Sequence, residues 1–102
     1  MASSKEYRDF VLEQLSEVPD ITCRPMMSEF LLYVDGVLFG GIYDNRLLIK
    51  ITPANKKYQM SEAIPYPGAK PMYLVEDLDD KEKLAEIIKV TVKKLFYDIM
   101  KA

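Results

Sequence analysis

The dipeptide Asp35-Gly36 lies between two apolar runs, residues 30–34 and 37–43. A two-residue loop of this kind reverses the chain because aspartate and glycine tolerate positive φ at its centre, with a twist that matches the flanking strands. That turn commits the middle of the chain to antiparallel sheet. Asp44-Asn45 gives a weaker form of the same signal and leads into a further run, 46–51. Upstream, 21–26 reads as another strand, with Pro25 marking an edge or a bulge because proline cannot donate to a ladder. The four runs form a meander.

Helical spacing brackets this meander. Ser3 and Glu6 have capping-box spacing, and Tyr7, Phe10, Val11, Leu15 and Val18 then recur along one side until Pro19-Asp20. Thr52-Pro53 opens a short helix to about Met60. Residues 64–71 hold three prolines and a glycine, too broken for regular structure. A last strand follows at 72–75, and Asp79 or Asp80 then caps a long final helix. Its Leu84, Ile87, Ile88, Val92, Leu95, Phe96 and Ile99 fill one broad face. The expected architecture is a single α+β domain over residues 1–102: two layers, an antiparallel sheet of about five strands, and helices at both ends.

One pattern in the strands reaches beyond fold. Under strict alternation Val37, Phe39 and Tyr43 share one face of their strand while Leu38 and Ile42 share the other. In the next strand Leu47, Ile49 and Ile51 lie opposite Leu48. Two apolar faces need two covers. Either a second polypeptide supplies one of them, or the short helix and the proline-rich loop do.

Composition narrows the chemistry. The chain has no histidine and one cysteine, Cys23, so the usual proton shuttle and the usual zinc ligands are missing and no internal disulfide forms. No catalytic residue, metal or cofactor is expected. A net charge of −2 argues against direct nucleic-acid binding. No apolar run approaches the roughly 18 residues of a membrane span, and the start of the chain lacks a signal core, so a cytoplasmic location is expected.

The segment Arg24-Pro25-Met26-Met27-Ser28-Glu29-Phe30, with Asp35-Gly36, Phe39-Gly40-Gly41-Ile42-Tyr43-Asp44 and the run 47–50, resembles the N-terminal domain of the TfoX/Sxy family of bacterial competence regulators. The family pattern is an arginine, Met-Phe-Gly-Gly, a strand, an Asp-Gly turn, and a Phe-Gly strand ending in lysine. Arg24, Met26, Asp35-Gly36, Phe39-Gly40 and Lys50 match it, whereas Met27-Ser28-Glu29 stands where the family often has Phe-Gly-Gly. A shorter branch with Tyr-Pro-Gly-Ala-Lys-Pro-Met is matched at 66–72. The resemblance runs from Lys5 to about Lys94. It implies a curved antiparallel sheet on helices, similar to secretion chaperones. It also implies a regulatory role inherited in part, since the competence regulators carry a second helical domain for which 102 residues leave no room.

The candidate interaction residues are Arg24, Met26, Met27, Gly40, Gly41, Lys50, Tyr66, Pro67, Gly68 and Lys70. Arg24 can hold a carboxylate or phosphate bidentately, or fix the first strand through an ion pair. Met26 and Met27 suit an adaptable surface, or core filling. Gly40-Gly41 signals a bulge or a close backbone approach, by a helix or partner chain sooner than a ligand. The loop through Tyr66, Pro67, Gly68 and Lys70 combines rigidity with a cation and an aromatic, and its spacing is not that of a P-loop. The leading expectation is a non-catalytic regulatory or protein-interaction module, acting as a homodimer or with a protein partner. The alternative is a small-ligand domain holding an anion or nucleotide with Arg24, Lys70 and the 66–72 loop.

Overall fold

The computed structural model describes residues 2–101. The elements run α1 (Lys5–Gln14), β1 (Ile21–Met26), β2 (Glu29–Val34), β3 (Val37–Ile42), β4 (Leu47–Ile49), a single 3-10 turn (Lys56–Tyr58), β5 (Ser61–Ala63), β6 (Met72–Val75) and α2 (Lys81–Lys101). All six strands join one antiparallel sheet in the order β1-β2-β3-β4-β6-β5. The meander expected from the turns is present, and the class is α+β. Among the described residues no helix is long and apolar enough to cross a membrane.

Three turns pair strands at the cost of left-handed backbone: Met27-Ser28 (φ 48° and 71°), Asp35-Gly36 (49° and 81°) and Asp44-Asn45 (53° and 54°). All three are two-residue hairpin loops with positive φ at both centres. In the first hairpin Pro25 stands opposite Phe30. Bonded and non-bonded pairs alternate along an antiparallel ladder, and Asp35 N donates to Asp20 O at 3.1 Å, which sets the phase. Pro25 therefore turns its missing donor away from β2, on the free edge of the sheet.

Both helices pack on one face. Val11 of α1, Leu15 just beyond its end, and Leu84, Ile88 and Val92 of α2 meet Phe30, Leu32, Phe39, Ile42, Leu47, Ile49, Tyr73 and Val75 in one core. Each such side chain, when fully buried, contributes about 1.5–3 kcal/mol. Asp80 caps α2 by accepting from Lys83 N at 3.1 Å.

Several expectations need correction. Ser4, not Ser3, caps α1 by accepting from Tyr7 N at 3.0 Å; Ser3 is engaged elsewhere. The helix ends at Gln14, though Leu15 and Val18 still reach the core. The helix expected near 53–60 shrinks to one 3-10 turn, because the Asn55 and Thr52 side chains bond each other's backbone N–H groups and compete with a helical ladder. The segment 61–63 adds a sixth strand by pairing with β6. Ile99 is 61% exposed and leaves the core face of α2.

The largest correction concerns β3. Its register against β2 shifts between Leu32 and Tyr33, so that Leu32 faces Gly40 while Tyr33 faces Leu38. The extra residue, Phe39, is a bulge that breaks strict alternation. Ile42 thereby joins Phe39 in the core, and Tyr43 leaves that side. The face away from the helices carries Leu31, Tyr33, Leu38, Leu48 and Leu74.

Candidate functional site

Met27 sits at the tip of the β1–β2 hairpin and is 92% exposed. The turn that places it is braced from beneath by Glu29. One carboxylate oxygen accepts from Ser3 Oγ at 2.6 Å and the other from Asp44 N at 3.0 Å. Ser3 Oγ in turn accepts from Asn45 N at 3.0 Å, and Ser3 N donates to Ser28 O at 3.0 Å. The first residues of the chain thus lace the β1–β2 and β3–β4 turns together, which fixes one wall of a groove.

The other wall is the loop 64–71. Arg46 holds it by donating from Nη2 to Ile64 O at 3.2 Å, and Arg46 Nε donates to Tyr43 O at 3.1 Å. The Tyr66 and Tyr43 rings lie 6.1 Å apart at a 46° tilt, a favourable aromatic arrangement. Between hairpin and loop lies an open groove of about 730 Å³, lined mostly by apolar atoms of Met26, Met27, Tyr43, Ile64, Pro65, Tyr66 and Pro67. Glu29, Asp44 and Arg46 supply its polar rim.

A second groove of about 750 Å³ lies across the same loop and shares Tyr43, Pro65 and Tyr66 with the first. Its lining includes Leu38, Lys50, Lys70, Met72 and Leu95, with Glu62 as its single acid. Among the described residues no carboxylate comes within 4.0 Å of Lys50 or Lys70. Tyr66 therefore stands as a ridge between two mostly apolar troughs, the second of which also carries Lys50 and Lys70.

The loop covers part of the face opposite the helices. Leu48 is fully buried there, and Pro65 is buried in the loop. Leu31, Tyr33, Leu38 and Leu74 remain half-buried. The helix-free face is closed at its centre and open on either side.

The candidate residues separate into three groups. Met26, Met27, Tyr66 and Pro67 line the first groove, and Lys50, Gly40, Tyr66 and Lys70 line the second. Gly40 and Gly41 are explained by the protein's own chain. A Cβ on Gly40 would sit 2.3 Å from Leu48 O, and one on Gly41 2.6 Å from Phe30 O and 2.7 Å from the Tyr43 ring. Neighbouring strands and Tyr43 occupy that space, not a helix or partner. Arg24 lines neither groove; it is exposed on edge strand β1, without an ion pair among the described residues, its guanidinium 5.9 Å from the centre of the Tyr33 ring. Gly68 takes φ 88° at the loop tip with open space around it.

Glu29, Arg46 and Tyr43 are among the lining residues that escape sequence reasoning. Glu29 reads as an ordinary strand-end carboxylate, and Arg46 and Tyr43 as ordinary strand residues, because nothing local announces the turns that Glu29 braces or the loop that the other two hold. Among the described residues no cluster of three or more potential ligands is placed to hold a metal ion. Burial pushes the Tyr43 hydroxyl above its ordinary pKa, with the nearby Tyr66, Glu29 and Tyr33 adding to it, so Tyr43 stays protonated at neutral pH. Burial likewise raises the Cys23 thiol, opposed by Arg8, which leaves it a poor nucleophile.

An uncharacterised 12.7 kDa protein of the trpE 5′ region in Spirochaeta aurantia is 32% identical over 98 residues, spanning 93% of this chain and 85% of that one. That relative is itself little longer than the fold described above. The family model of the TfoX N-terminal domain matches residues 13–95, from the last turn of α1 through the hairpins and loop to Leu95 of α2. With both grooves and the whole sheet inside the matched span, the chain belongs to the TfoX N-terminal domain family.

Proposed function

We propose that this chain is a non-catalytic regulatory module of the competence-regulator type, working in the cytoplasm by holding another polypeptide, as a homodimer or with a larger protein partner. Family membership supports the regulatory class. The observation that carries the binding role is the incomplete cover of the helix-free face. Leu31, Tyr33, Leu38 and Leu74 stay half-exposed beside a groove that also displays Met27, Ile64 and Tyr66. Apolar surface gathered in this way marks interaction sites, and methionine adapts to varied partners.

The rival reading, an anion or nucleotide held by Arg24, Lys70 and the 66–72 loop, asks for residues that do not converge. Arg24 lies on edge strand β1, with β2, β3 and β4 between it and β6, the strand that follows Lys70.

A photocrosslinking residue at Leu38, combined with sedimentation of the purified chain, tests the proposal. A self-adduct with dimeric sedimentation, or one dominant adduct in cells, is expected, and Leu31→Glu in the same chain should abolish it while leaving the circular dichroism unchanged. Monomeric sedimentation with no adduct in cells would end this reading.

A further inference from the structure

We infer that the two troughs on either side of Tyr66 form one recognition surface for an extended acidic segment of a partner protein, with a bulky apolar residue entering the first trough and a carboxylate meeting Lys50 and Lys70 in the second. This rests on the polypeptide-binding reading above and gives the partner a chemistry.

The two troughs share Tyr43, Pro65 and Tyr66 as a common wall. One occupant can thus touch both only by passing over the Tyr66 ring, which is 54% exposed. Small molecules are usually held where 70–90% or so of their surface is covered. Two shallow troughs joined over an exposed ring instead suit a chain that lays successive side chains to either side.

Charge chooses among such chains. In the second trough Lys50 and Lys70 face a single acid, Glu62, and neither is within 4.0 Å of any carboxylate among the described residues. In the first trough the charges are already committed in part. Glu29 is bonded to Ser3 and Asp44 N, and Arg46 is turned into the loop carbonyls, while the Asp44 carboxylate has no cation within 4.0 Å among the described residues and so directs an acidic side chain to the second trough. The surface therefore offers apolar contact at Met27, Ile64 and Tyr66 and unspent positive charge at Lys50 and Lys70. Complementary charge across an interface selects partners and suppresses wrong ones. The protein's own charge of −2 makes this local basic spot a feature of the site, not of the whole chain.

Selection from a displayed library of random peptides tests this, run in parallel on the intact chain, on Lys70→Glu and on the Lys50→Glu/Lys70→Glu pair. The first pool should be enriched in Asp or Glu near Leu, Met or Phe. A peptide synthesised from it should bind the double variant about tenfold more weakly, the combined loss expected for two solvent-edge ion pairs. Lys70→Glu alone, on an exposed loop position, guards against misfolding and should account for part of that loss. The double variant's own pool should shift to basic residues. Apolar peptides with no acidic bias, or an acidic bias that survives both reversals, would overturn the charge assignment and leave polypeptide binding intact. A pool with no enrichment would overturn the two-trough peptide site, while the crosslinking and sedimentation at Leu38 decide polypeptide binding separately.

Discussion

Asn55 Nδ2 donates to Thr91 Oγ1 at 2.9 Å, and both residues are completely buried. The same nitrogen donates to Lys50 O at 2.9 Å, Asn55 Oδ1 accepts from Thr52 N at 2.9 Å, and Thr91 Oγ1 donates to Ile87 O at 2.8 Å. One amide thus joins the exit of β4 to the middle of α2. Losing it strands buried polar groups, each worth about 1–3 kcal/mol. Asn55→Ala should cost at least about 3 kcal/mol in urea unfolding, and Thr91→Val about 1–2 kcal/mol. A loss below about 1 kcal/mol for Asn55→Ala would show that water replaces the amide.

The Met27-Ser28 turn holds two non-glycine residues at φ 48° and 71°. Left-handed backbone costs an ordinary residue about 1–2 kcal/mol, which glycine largely escapes while losing more chain entropy on folding. Ser28→Gly should raise stability by about 0.5–1 kcal/mol, read as a higher denaturation midpoint with an unchanged slope. A lower midpoint would mean that the serine side chain supports the turn.

Gly40→Ala and Gly36→Ala should separate steric crowding from backbone strain. Gly36 has φ 81° and open space, so alanine there meets only the strain, about 1 kcal/mol. At Gly40 the added carbon meets the backbone at Leu48 O and Ile49 Cα, 2.3 and 2.9 Å away, which cannot swing aside. A loss of about 3 kcal/mol or more is expected there, with the amide signals of β4 shifting in NMR spectra. Equal losses at the two sites would contradict this account.

Tyr58 predicts an alkaline limit. Burial, then the 2.5 Å hydrogen bond that its hydroxyl donates to Glu86 Oε2, then the charge of Glu86 push its pKa up to about 12. The folded chain holds this proton more tightly than the unfolded one, whose tyrosines titrate near 10. The associated stability is complete below about pH 10 and disappears as pH rises through 10 to 12. Tyr58→Phe should flatten that part of the pH–stability curve and remove one late-ionising tyrosine from the ultraviolet titration. An unchanged titration would refute it.

Local signals in the sequence carried the turns, the meander, the two helices and the core face of α2 up to Phe96. Asp35-Gly36 needs only its own backbone to declare itself. The bulge at Phe39 does not, because it depends on pairing with Leu32, and without it Ile42 and Tyr43 fall on the wrong sides. Strand β5 was equally hidden, since Ser61–Ala63 lacks an apolar pattern and exists through its partner β6. The groove was legible in half. Met26, Met27, Tyr66 and Pro67 stood out by type, whereas Glu29 and Arg46 act across 15 or more residues of chain and show no local mark.

Pro25 on the outer strand bears on how copies behave when crowded. A sheet grows into a fibre when a fresh strand finds an unbroken row of donors at its border. Here one border is interrupted by an imino acid flanked by the exposed Arg24, and the other, β5, is three residues long. Concentrated preparations should therefore resist ribbon-like stacking along the sheet, and copies that stick together will do so flat side to flat side.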